Sequence, residues 1–258
     1  VRDKGLEETR AYLAAGNQGH VGLHASFTVG DYLLEKAVLL ANDLSSGIHI
    51  HVAEDKADQD HCLKSYNKRV IQRLSDAGAL SFGKTILGHG LHLDDAEKAL
   101  LRQSPAWVVQ SVESNLNNNV GLTDYSTYGE NIMLGTDGMH SDMLRSAKAA
   151  FFVGQTTEGI SFPGIYERFR KIHSFIEQNG FKGDSENNLV ILDYNTPTPI
   201  NQDNFLGHFV FGMESCHTDS LISSGRLIVE NKKLVSANEE DILGFAQEMA
   251  VKLWKKLA

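Results

Sequence analysis

The sequence predicts an α/β protein: a parallel sheet covered by helices, then a small antiparallel β region and a closing helix. Short apolar runs alternate with stretches of helical spacing through most of the first 180 residues, the pattern of βα units. After Pro163 that alternation gives way to strands joined by tight turns. Polar or metal-capable residues also recur at successive strand ends, namely His24, His51, His89, Asn115 and Asp137. In a parallel barrel, the carboxyl ends of the strands are where a site is built.

"DKGLEETRAYLAAG" reads as a helix closed by Gly16. Val21–Phe27 is a short apolar strand, and Thr28 with Asp31 fits a capping-box start for the helix that follows. "GIHIHVAE" is the second strand, and the helix after it runs through "QDHCLKSYNKRVIQRLSDAG" to Gly78. "KTILGHG" is the third strand; the next helix carries Leu93, Ala96, Leu100 and Leu101 on one face. "AWVVQSVESN" and "NIMLGTDG" are the fourth and fifth strands. "YERFRKIHSFIEQNG" is the last helix of this region. Beyond it, "NNLVILDYN" and "SLISSGRLIVENKKLVSA" are strands, with turns at Ser224-Gly225 and Asn231-Lys232-Lys233. Asn238 opens the closing helix, with an apolar stripe of Ile242, Phe245, Met249 and Trp254 and acidic residues Glu239, Glu240 and Asp241 in its first turn. The expected divisions are 1–183, 184–237 and 238–258.

Composition narrows the function classes. The 258 residues carry a net charge of −9, which disfavours nucleic acid and anionic membranes as partners. No apolar run approaches the ~20 residues that span a bilayer. Two cysteines make no disulfide framework, so a reducing compartment, the cytoplasm, is expected. Histidine is the unusual residue, with 11 copies, several beside glycines at strand ends.

His49 and His51 are two apart on a strand, so both imidazoles share a face. With a carboxylate they would suit zinc or iron; alone, such a pair is as well read as satisfied polar residues. Asp137, hemmed by Gly135 and Gly138, reads when taken singly as simply starting a turn or capping a helix.

"GLHASFTVGD", "HIHVAE", "ILGHGLHLDD", "ESNLNNNVG" and "IMLGTDGMHSDM", in this order, resemble the amidohydrolase superfamily. More narrowly they are similar to its mononuclear aminohydrolases and chlorohydrolases. The resemblance implies a (β/α)8 TIM-type metal-dependent hydrolase barrel, with strands four to eight represented here and part of a small β-sandwich domain behind them. It implies one divalent metal, zinc with iron as the alternative, held by His51 and Asp137. It makes Glu54, His89 and Asp137 catalytic: Glu54 shuttles protons and contacts substrate, His89 polarises the attacked group, and Asp137 takes a proton from water. His24 and Asn115 become substrate contacts, Ser114 a structural or substrate-facing neighbour, and His49 a packing residue one layer deeper. The implied reaction is hydrolytic deamination of a small heterocycle such as a purine, pterin or triazine-like compound, by metal-bound hydroxide. Water is the co-substrate, and a homo-oligomer is expected by analogy.

The family's first-strand HxH, which completes its metal site, has no counterpart ahead of His24. His24 to Asp137 spans 113 positions for five strand ends, and only a helix and a short loop precede them. The chain therefore reads as the carboxyl-terminal part of a longer enzyme. The rival reading is a catalytically silent barrel fragment with an assembly or binding role. "GALSFGKT", Gly78–Thr85, matches the phosphate-loop pattern letter for letter, but a helix precedes it and a strand follows, the reverse of the order that pattern needs. His61-Cys62 and Cys216-His217 lack partners for a thiol site, and His92 leads into a helix. His140 and Asp142 are either substrate-selecting or solvated loop residues. His20, His173 and His208 carry no functional expectation.

Overall fold

The structure, a computed structural model, describes residues 2–182, 187–196 and 198–257. It divides into two units: Val1–Phe181 with Asn201–Gly212, and Lys182–Ile200 with Met213–Ala258. The expected boundary at 183/184 touches residues outside those described. The segment Asn201–Gly212, expected within the β region, groups with the first unit: its helix buries Phe209 and Val210, and Phe209 packs edge-on to Tyr166 and tilted against Phe169.

The first unit opens with α1 (Arg2–Ala14), β1 (Val21–Ala25), α2 (Asp31–Asp43) and β2 (Ile48–Val52). Thr28 does not cap α2, whose N-cap is Gly30. Its hydroxyl donates to Ala25 O within the 3-10 turn Ser26–Thr28 and also meets His24 Nδ1. The helix expected to run unbroken to Gly78 is two, α3 (Lys56–Tyr66) and α4 (Val70–Asp76). Asn67 breaks it at φ 52, the left-handed conformation that asparagine tolerates and that ends helices.

Next come β3 (Ile86–His89), α5 (Asp95–Arg102), β4 (Trp107–Gln110), α6 (Val112–Asn117), β5 (Ile132–Leu134), α7 (Met143–Thr157), α8 (Phe162–Gln178) and β6 (Leu189–Leu192) of the second unit. The fourth strand stops at Gln110, so Ser114 and Asn115 lie on a short helix rather than at a strand end. On α5, Ala96 is exposed and Glu97 takes the buried place the periodicity gave it. α7 was not anticipated; Asp142 caps it, accepting from Arg145 N at 3.0 Å.

β1 to β5 form one parallel sheet in chain order. On β2 the side chains alternate: Ile48, Ile50 and Val52 enter the core with Leu34, Ala37 and Leu40 of α2 and Ile71 and Leu74 of α4. His49 and His51 take the opposite face, as the two-residue period of a strand requires. Further round the sheet Trp107, Met133 and Phe175 form a second cluster. His51 pairs in register with Gly88, where a Cβ would press on the imidazole at 3.4 Å.

The first unit's last helix is α9 (Phe205–Phe211). In the second unit β6, β7 (Thr218–Ser223), β8 (Arg226–Glu230) and β9 (Lys233–Leu234) make an antiparallel sheet in that order. Both expected turns are present: Ser224-Gly225 and Asn231-Lys232 all have positive φ, as tight two-residue hairpins need. The second layer that a sandwich requires is not found among the described residues. α10 (Glu239–Leu257) closes the chain with Ile242, Phe245 and Trp254 exposed.

Candidate active site

The strand ends of the first unit bring His24, His51, Glu54, His89 and Asp137 together. His24 and His51 ring centroids are 5.7 Å apart, and His51 and His89 stack at 5.5 Å. Glu54 Oε2 lies 3.6 Å and Asp137 Oδ2 3.9 Å from His89 Nε2. One ligand-capable atom from each of Glu54, His89 and Asp137 falls within 4.8 Å of the others.

Each of these groups is gripped from behind. His51 Nδ1 donates to the His24 carbonyl at 2.5 Å, which leaves the Nε2 lone pair free. His89, 2% exposed, donates from Nδ1 to Asn115 Oδ1 at 2.8 Å, so its Nε2 is likewise free to face the carboxylates. Asn115 is 1% exposed; its carbonyl oxygen is occupied by His89 rather than offered to a ligand. Ser114 Oγ donates to Asp137 Oδ2 at 2.6 Å and Gly138 N–H to Oδ1 at 2.7 Å. The Ser114 hydroxyl, then the Gly138 amide and the nearby imidazoles, hold the Asp137 carboxyl below the usual carboxylate range. Asn118 Nδ2 donates to Glu54 Oε1 at 3.1 Å.

Three of the turns that present these groups are left-handed at non-glycine residues: Ala53 (φ 45), His89 (φ 67) and Asp137 (φ 53). Such backbone persists where its surroundings over-determine it, and it gathers at functional sites. Asp58 accepts from Ala53 N at 2.8 Å, fixing the Val52–Ala53 peptide that leads to Glu54; burial raises this carboxyl's pKa. Beneath the loop after β3, Glu97 accepts from Arg69 Nε (2.7 Å) and Gln59 Nε2 (3.0 Å), and both donors also reach His92 O. Sequence reasoning found none of Asp58, Gln59, Arg69 and Glu97. The only signal was a polar residue at a helical position that periodicity assigns to the core.

The remaining expectations resolve by contact. His49 packs its ring 6.0 Å from His20, and burial followed by His51 lowers its pKa. His140 Nε2 donates to Glu113 at 2.7 Å while its Nδ1 accepts from Asp142 N–H, so the ring braces the loop after β5. His92 Nε2 meets Val120 O at 2.8 Å. Lys84 of the phosphate-loop match donates to Ser45 O, ahead of β3. Cys62 is buried and its thiol pushed up by desolvation; Cys216 is exposed. No helix among the described residues is long and apolar enough to cross a membrane.

The profile of the Amidohydrolase family matches residues 3–161, which include His24, His51, Glu54, His89, Asn115 and Asp137. The chain belongs to the amidohydrolase family. It is 25% identical over 258 residues to a 5-methylthioadenosine/S-adenosylhomocysteine deaminase of Syntrophomonas wolfei, covering 90% of this chain and 58% of that protein. To a 5'-deoxyadenosine deaminase of Methanococcus maripaludis it is 24% identical, covering 98% and 63%. The chain thus spans about three fifths of the length of these curated relatives. Among solved structures it is similar to an adenosine deaminase from Xanthomonas campestris with bound zinc, at TM-score 0.80 and 19% identity over 91% of this chain and 57% of that one. It is also similar to E. coli guanine deaminase, at TM-score 0.77 and 17% identity over 89% and 60%. These likenesses carry the fold: the parallel sheet is of the amidohydrolase TIM-barrel type, accompanied by a second, antiparallel sheet.

Proposed function

We propose that the chain supplies the carboxyl-terminal side of a metal-dependent aminohydrolase site that removes an exocyclic amine from a small heterocycle. Water replaces the amine, and the products are the ring oxo compound and ammonia. The observation that carries the reading is the convergence of Glu54, His89 and Asp137 within 4.8 Å, beside an imidazole at His51. The donor set fits a divalent metal: two imidazoles with free Nε2 lone pairs and two carboxylates, each fixed by a partner on its far side. His51 and Asp137 would hold the ion, with zinc as the first expectation. When bound, such an ion makes a nucleophile available at neutral pH by lowering the pKa of water from about 15.7 toward about 7.

The protein's own groups then divide the proton work. Asp137, kept ionised by Ser114 and Gly138, accepts the proton from the attacking water. Glu54, within 3.6 Å of His89 Nε2, carries a proton to the leaving amine. His89 stabilises charge that grows on the attacked ring by donating from Nε2 once that nitrogen has taken a proton from the neighbouring carboxylates, while Nδ1 stays on Asn115. Asn115 is thereby a support for His89, while His24, exposed on the rim, keeps the role of substrate contact. The relatives named as adenosine-type deaminases support a purine nucleoside as the substrate class.

Elemental analysis of the 258-residue chain, purified without chelator, tests this reading. About one zinc or iron per chain, lost in His51→Ala and in Asp137→Ala, together with ammonia release from an adenine nucleoside, is the expected result. A folded chain that holds no metal and releases no ammonia would mean that the residues present do not make a working site by themselves.

A further inference from the structure

We propose that Tyr125 and Tyr128 are positioning residues for His89, their hydroxyls locking the His89–Gly90 turn that aims the imidazole at Glu54 and Asp137. The inference rests on the aminohydrolase reading for what His89 does, but not for how it is held.

His89 and Gly90 are consecutive left-handed residues, at φ 67 and φ 66. Glycine adopts this freely; a histidine does so only under constraint. The turn's backbone donors all go to the end of β2: Gly90 N–H to Val52 O (2.9 Å), and Leu91 and His92 N–H to Ala53 O (3.0 and 3.1 Å). Its first two carbonyls go to the tyrosines. Tyr125 Oη donates to His89 O at 2.7 Å, and Tyr128 Oη to Gly90 O at 2.5 Å. Both carbonyls belong to buried residues, so losing either hydroxyl leaves an acceptor without its partner.

The tyrosines are themselves well fixed. Both are 2% exposed, with ring centroids 5.2 Å apart. Tyr125 opens a 3-10 turn capped by Asp124, which accepts from Ser126 N at 2.9 Å. Thr123 Oγ1 lies 3.0 Å from Tyr128 Oη. Burial pushes both phenols up, Tyr128 to about 12, so each remains a neutral donor at any ordinary working pH. With Asn115 on Nδ1, the imidazole is set at three points: its ring nitrogen, its own carbonyl and the next carbonyl.

The test uses Tyr125→Phe and Tyr128→Phe in the full 258-residue chain without metal or substrate. The readouts are the His89 imidazole NMR signals, assigned with His89→Gln, and amide hydrogen exchange. In Tyr125→Phe the His89 signals should move or broaden. Exchange at Gly90 and Leu91 should quicken tenfold or more, while amides around Phe175 keep their rates. Tyr128→Phe should show the same pattern, and it carries the test if Tyr125→Phe does not fold. Where ammonia release is measurable, kcat should fall in both variants with KM little changed. Unchanged His89 signals and unchanged Gly90 and Leu91 exchange in the folded variants would overturn the proposal. Moved signals in a chain without deaminase activity would count against the functional reading alone.

Discussion

Replacing Glu97 by alanine should cost about 4 kcal/mol, although Glu97 touches none of the proposed reacting groups. Its carboxylate is 1% exposed and accepts from Arg69 Nε (2.7 Å), Gln59 Nε2 (3.0 Å), Ile71 N (3.0 Å) and Asp94 N (3.1 Å). Breaking a buried ion pair from one side costs about 3–5 kcal/mol. Arg69 retains Asp94 at 2.8 Å and His92 O at 2.8 Å, and its side chain is 29% exposed, so the lower end, about 3 kcal/mol, applies to this part. Losing the reciprocal capping box with Asp94 adds about 1 kcal/mol. For a chain of this size that sum lowers Tm by about 8–16 °C. Urea unfolding followed by Trp107 fluorescence, in a Trp254→Phe background, reads the first unit. Glu97→Gln keeps the volume and one acceptor, so it should lose about half as much. A loss below about 1 kcal/mol in Glu97→Ala would refute the reasoning, because the four donors would then have found other partners.

Gly47→Ala should cost about 3 kcal/mol, near the top of the overpacking range, because its Cβ would fall 2.3 Å from the Lys84 carbonyl carbon and 2.6 Å from Thr85 N. Unfolding within about 1 kcal/mol of wild type would mean that the backbone at Lys84–Thr85 yields. Acid should weaken the fold earlier than carboxylate titration alone. His20 is lowered to about 4 by burial, then by His49 and Lys84, so between pH 6.5 and 4 the unfolded chain binds the proton more tightly. Stability therefore falls as pH drops through that window, by about 1–2 kcal/mol after allowing for partial exposure. His20→Phe should flatten the fall in urea midpoint between pH 7 and pH 5; an equally steep fall would show that other groups carry it.

The strands and their order were legible because apolar runs bounded by turn residues leave little choice about where a parallel strand lies. The positions of His24, His51 and His89 followed from that. Asn115 did not, because its strand ends five residues earlier and a short helix, invisible to periodicity, turns the side chain back onto His89. The single helix expected from Gln59 to Gly78 failed at Asn67, where one left-handed residue overrides an otherwise helical pattern. Thr28 looked like a cap but satisfies its own turn instead. Glu97, Tyr125 and Tyr128 act through backbone amides and carbonyls far away in sequence, at Ile71, His89 and Gly90. Such pairings leave no spacing to read.

The two-residue alternation on β2 has a consequence for how the chain reaches its fold. Sliding β2 by one position against β3 would drive His49 and His51 into the apolar layer and turn Ile48, Ile50 and Val52 out of it. The penalty covers two stranded imidazoles as well as lost apolar burial. Parallel sheets assemble from distant segments and are slow to find their partners. Two imidazoles on one face of β2 therefore also proofread the alignment, marking a misassembled sheet as unstable before any helix has packed over it.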